Sequence, residues 1–76
     1  MKLETFKLIR WYLKMTQEQF AEHIGVTYTT VAEIEAGNRK ISGNVQGKIA
    51  HKFNASEPKF IEYVERHEAL KKLGMK

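Results

Sequence analysis

The chain has no cysteine among its 76 residues, which excludes disulfide staples and thiolate metal sites. It has one proline, Pro58. Its β-branched residues do not alternate with polar ones over the length of a strand, so a sheet-built domain is excluded. Long apolar runs are missing too. Lys7, Arg10 and Lys14 interrupt the N-terminal stretch MKLETFKLIRWYLKM. It therefore reaches neither the about 7–15 residues of a signal-peptide core nor the roughly 20 of a membrane span. A soluble, cytoplasmic protein without a membrane partner is the expectation. Catalytic constellations are missing as well. His23, His51 and His67 fall on different segments, no Gly-rich phosphate loop occurs, and Ser42 and Ser56 read as helix caps. No enzyme, no metal and no cofactor is expected.

What is present is positive charge and helical periodicity. Thirteen Lys and Arg stand against nine Asp and Glu, a formal charge of +4 with a pI near 9.5. That excess is consistent with a polyanionic partner and does not by itself identify one. Apolar residues recur at helical spacing in five segments. The first runs from about Leu3 to Lys14 with Phe6, Ile9 and Leu13 on one stripe. The second opens on Thr16-Gln17-Glu18-Gln19, a capping box, and ends at Gly25, a left-handed terminator. The third starts at Thr27, holds Val31 and Ile34 inward, and ends at Gly37-Asn38. Ser42 caps the fourth, with Val45, Ile49 and Phe53 inward and Asn54 in the place of a terminal glycine. Ser56 caps the fifth, Pro58 sits in its first turn, and it runs to about residue 73. Such a chain suffices for one small domain, residues 1–76, with a net stability of roughly 3–5 kcal/mol.

From Thr16 to Lys40 the sequence TQEQFAEHIGVTYTTVAEIEAGNRK resembles the Cro and lambda-repressor-like (XRE) helix-turn-helix family. Thr16-Gln17, Phe20-Ala21, Ile24-Gly25-Val26, Thr27, Val31, Ile34-Glu35 and Gly37 carry the resemblance, dense and in register. It implies an all-α, five-helix lambda-repressor-like domain, with the helix-turn-helix at about 16–37; the extended C-terminal helix, at about 57–73, outlasts the short final helix common in that family. It also implies a partly buried salt bridge between Arg10 and Glu35. Arg10 contacting phosphate is the lesser alternative. The sequence departs from the family where Lys14 stands in place of a frequent glycine. It also carries Leu8, Trp11 and Tyr12 as apolar surplus on helix 1.

The expected function is a bacterial or phage regulator that binds double-stranded DNA sequence-specifically as a homodimer. Residues 28–36 would enter the major groove, with Tyr28, Thr29 and Glu33 at base edges. Gln17, Thr27, Asn38, Arg39 and Lys40 would hold the phosphate backbone, which positions the protein without reading sequence. The reading segment YTTVAEIEA contains no Lys, Arg, Asn or Gln, so it offers no bidentate pairing to guanine or adenine. Two bland readings stand beside these: Tyr28 packs on the preceding turn, and Glu33 is a solvated helix face. The alternative class is a protein-interaction module on the same fold. It draws on the acidic pair Glu33 and Glu35 and on the apolar surplus of helices 1 and 5. Tyr63, Val64, His67 and Leu70 are the candidate dimer interface. The same stripe equally serves a heterologous partner, or folds back over Leu8 and Trp11 within one chain.

Overall fold

Helix boundaries in the computed structural model, which describes residues 1–74, follow the capping chemistry of the chain. The helices are α1 (Leu3–Tyr12), α2 (Gln17–Ile24), α3 (Tyr28–Glu35), α4 (Gly43–Lys52) and α5 (Pro58–Lys72), with no strand among the described residues. The capping box of α2 is closed on both sides. The Gln19 amide nitrogen donates to Thr16 Oγ1 at 3.1 Å, and the Thr16 nitrogen donates to Gln19 Oε1 at 2.9 Å. Thr27 and Ser42 cap α3 and α4 by accepting from the Thr30 and Val45 amides. Two expectations fail at the last connection. Asn54 is not left-handed: α4 ends in the extended residue Phe53, at φ −143°. Ser56 does not cap α5: Glu57 occupies the cap position, and the Ser56 amide donates to Asn54 Oδ1 at 2.9 Å in an Asx turn.

Lys14 does what the missing glycine would do. It lies at φ 57°, the one left-handed non-glycine among the described residues. The Lys14 amide donates to the Trp11 carbonyl and the Met15 amide to the Arg10 carbonyl, a Schellman motif built on a lysine. A side chain in that region is strained, at roughly 1 kcal/mol. Lys14→Gly is therefore expected to stabilise the protein by about 0.5–1 kcal/mol, read as a higher urea midpoint at unchanged slope. An unchanged or lower midpoint would show that Lys14 makes a compensating contact.

Twelve apolar residues form the buried core, contributed by all five helices, with Phe6 and Phe20 packed edge to face at 5.4 Å. Leu8 is among them at 2% exposure, so it is core and not surface surplus. The reason is α5. Glu4, Leu8 and Tyr12 lie along one face of α1 at intervals of four. Glu4 pairs with Lys71, and the Tyr12 ring meets Phe60 and Tyr63 at 5.3 Å each. The C-terminal helix thus folds back along α1 within the chain.

Candidate nucleic-acid interface

The chain between α2 and α3 is a tight turn set by Gly25, at φ 84°, with the Gly25 and Val26 amides both donating to the Ala21 carbonyl. Lys48 Nζ, from α4, donates to the Gly25 carbonyl at 3.0 Å, a cation at a helix C-terminus where the backbone dipole favours one. Sequence reasoning gave Lys48 no such role, since nothing in the spacing places α4 against that turn.

α3 is held from below by two devices. Val31 and Ile34 are buried at 0% and 1% exposure. Glu35 turns inward to Arg10: Nε donates to Oε2 at 2.6 Å and Nη2 to Oε1 at 2.7 Å, a bidentate pair. Arg10 Nη1 donates to the Met15 carbonyl at 3.0 Å, so each nitrogen of this guanidinium is engaged inside the fold. Gln17 Nε2 donates to Glu35 Oε1 at 3.0 Å. The Gln17 side chain therefore points at the salt bridge, and its main-chain N–H is the group left at the start of α2. Burial pushes the Glu35 carboxyl up. The hydrogen bonds from Arg10 and Gln17 and the charges of Arg10 and Lys7 outweigh that, holding it below the ordinary carboxylate value.

With one side so fixed, the other faces out. Tyr28 is 51% exposed, and Thr29, Glu33 and Ala36 are exposed around it. Beyond the helix, Gly37 at φ 81° reverses the chain, with the Asn38 amide donating to the Glu33 carbonyl and the Gly37 amide to the Ile34 carbonyl. That reversal carries Asn38, Arg39 and Lys40, all exposed, alongside α3. Arg39 then reaches back over the helix. Its Nη1 donates to Thr30 Oγ1 at 3.2 Å and to Glu33 Oε1 at 3.3 Å. Thr30 in turn lies 3.0 Å from Thr27 Oγ1. Thr30 was absent from the expected site because a threonine inside a helix carries no spacing signal.

The acidic pair that favours a protein-interaction module is not a surface pair. Glu35 faces Arg10 and Glu33 faces Arg39, so neither leaves an uncompensated negative face. The candidate dimer residues are also divided. Tyr63 and Val64 pack against the core, and the His67 ring lies 6.5 Å from Trp11. Leu70 at 48%, Leu73 at 76% and Trp11 at 43% stay exposed.

Among the described residues no helix is long and apolar enough to cross a membrane, and no group of three His, Asp or Glu stands where it could hold a metal ion. Compared with known families, the chain matches one described as helix-turn-helix over residues 9–60, about two thirds of its length. No curated protein and no solved structure matches it.

Proposed function

The chain belongs to the helix-turn-helix family of Cro and lambda-repressor type, whose members are DNA-binding regulators, and from that premise we propose that it binds double-stranded DNA sequence-specifically through α3 and regulates transcription as a homodimer in the cytoplasm. The observation that carries the reading is the division of α3 into two faces. One is spent on Val31, Ile34 and the Arg10–Glu35 pair. The other presents Tyr28, Thr29 and Glu33 beside the exposed cationic strip that follows Gly37. In this arrangement the N-terminal end of α3 leads into the major groove. Thr29 offers a hydroxyl or a methyl, and Tyr28 a hydroxyl or a ring edge. Thr27, Asn38 and Lys40 meet the backbone, joined by the main-chain N–H of Gln17.

A single domain that reads with hydroxyls binds with modest affinity, and a second copy doubles its contacts. The exposed apolar residues on α1 and α5, Trp11, Leu70 and Leu73, support pairing of two copies. Phosphate contacts make the affinity fall steeply with salt.

The test is selection of bound duplexes from a random DNA library at moderate salt, read by sequencing. The expected result is a motif of two related half-sites about 10 base pairs apart, one helical turn. If nothing is enriched and retention is weak and salt-sensitive, the reading fails and the fold serves a protein partner.

A further inference from the structure

Arg39 is the feature of the reading face that helical spacing does not explain. α3 has no Arg, Lys, Asn or Gln of its own, yet a guanidinium lies across it. The Gly37 reversal sends the chain back, and the Arg39 side chain runs toward the helix N-terminus, past Glu33 to Thr30 in the first turn. We propose that Arg39 is a base-reading residue that recognises guanine in the major groove, positioned on α3 by Glu33 and Thr30. The inference rests on α3 being the reading helix, as argued above.

Three observations carry it. The first is the donor count. Both hydrogen bonds of the Arg39 guanidinium leave from Nη1, and Nε and Nη2 have no partner among the described residues. Those two nitrogens form one edge of a planar group, the donor pair that meets guanine O6 and N7 side by side. The second is the carboxylate. An unpaired Glu33 on a face turned to DNA is repelled by the phosphates, and its pairing with Arg39 at 3.3 Å cancels that charge. The pair is half exposed, at 51% and 47%, and so adds little to stability. Its consequence is placement. The third is the polar chain that fixes the angle of approach. Arg39 donates to Thr30, whose hydroxyl shares a hydrogen bond with Thr27 Oγ1, already the cap of α3. The guanidinium is thereby tied to the end of the helix that leads into the groove. A phosphate clamp needs a cation beside the groove and no such tether, and Lys40 already supplies one.

The experiment repeats the random-library selection with the wild-type protein, Arg39→Lys and Glu33→Gln, each checked for fold by circular dichroism. Arg39→Lys keeps the charge and the salt dependence but loses the fork. The expected result is loss of one G·C preference in each half-site, about tenfold or more at that base pair, with the other positions unchanged. Glu33→Gln should weaken the same position and no other. The inference is overturned if both variants return the wild-type motif with affinity lowered alike for all sequences, which makes Arg39 a backbone contact. It is equally overturned if Glu33→Gln alters a different base pair, which makes Glu33 a direct reader. A wild-type protein that enriches no motif ends the DNA-binding reading itself, an outcome visible before any variant is compared.

Discussion

Glu35→Ala is expected to leave the protein largely unfolded at room temperature. The Glu35 carboxylate is 7% exposed and its partner Arg10 14%. Removing it strands a guanidinium that no water can reach freely. Losing one partner of a buried pair costs about 3–5 kcal/mol, close to the whole stability expected of a chain this short. The Gln17 amide loses its acceptor at the same time. A urea titration followed by circular dichroism reads the effect. A loss under about 1 kcal/mol would mean that Arg10 finds solvent when released. The double change Arg10→Met with Glu35→Leu separates the stranded charge from the pair, since apolar replacement of both partners is often neutral or stabilising. If the double variant is as unstable as the single one, packing around the pair and not the orphaned charge is responsible.

Acid should act at the same place. The Glu35 carboxyl is held below its unfolded value of 4.5, so its contribution is complete above that pH. It is lost as the pH falls through the lowered folded value. Glu4 is also held low, by the hydrogen bond from Lys71. Its side chain is 38% exposed, however, and a Glu4→Gln background removes its part. In that background, stability should still fall as the pH drops below 4.5. An acid limb that persists unchanged in Arg10→Met with Glu35→Leu would place the responsible carboxylate elsewhere.

The parts of this structure legible in the sequence are those decided within a few residues. Thr16 with Gln19, Thr27, Ser42, Gly25 and Gly37 all act locally, and each sits where its chemistry predicts. The errors occur where two local solutions compete. Asn54 accepts the Ser56 amide in an Asx turn and is not left-handed, and the cap position falls to Glu57, one residue beyond the serine expected there. Lys14 shows the reverse case, a position whose backbone geometry persists although its residue type argues against it. The arrangement of the candidate residues was not legible. Arg39 and Glu33 are six apart, outside helical reach of each other, and they meet only because Gly37 turns the chain. Leu8 was misplaced for a similar reason. Its burial depends on the return path of α5, which no spacing within α1 reveals.

That return path yields the second large effect. Phe60→Ala is expected to cost about 3–5 kcal/mol and to release α5 from the rest of the fold. Phe60 is 3% exposed and lies edge to face with Phe53 at 5.0 Å and with Tyr12 at 5.3 Å. Tyr12 is further tied to α5 by its hydroxyl, which donates to Glu57 Oε1 at 3.0 Å. Phe60→Leu keeps most of the burial and should lose the aromatic contribution, about 0.5–1.5 kcal/mol for such a pair. Leu70→Ala, one helix face away and 48% exposed, should change the stability of a dilute sample by less than about 0.5 kcal/mol. The contrast separates two uses of one helix. Residues on the Phe60 side stabilise the single chain whatever its oligomeric state. Leu70 and Leu73 matter only where a second copy covers them, and then their loss shows as a concentration-dependent shift. A loss at Leu70 that stays the same at every protein concentration would place it in the core. A negligible loss at Phe60 would mean that α5 is dispensable to the fold. α1 connects this end of the molecule to α3, the proposed reading helix, since it meets α5 through Tyr12 and α3 through Arg10. Phe60→Ala should therefore weaken DNA binding without touching DNA, and the weakening should follow the folded fraction and leave the sequence preference intact.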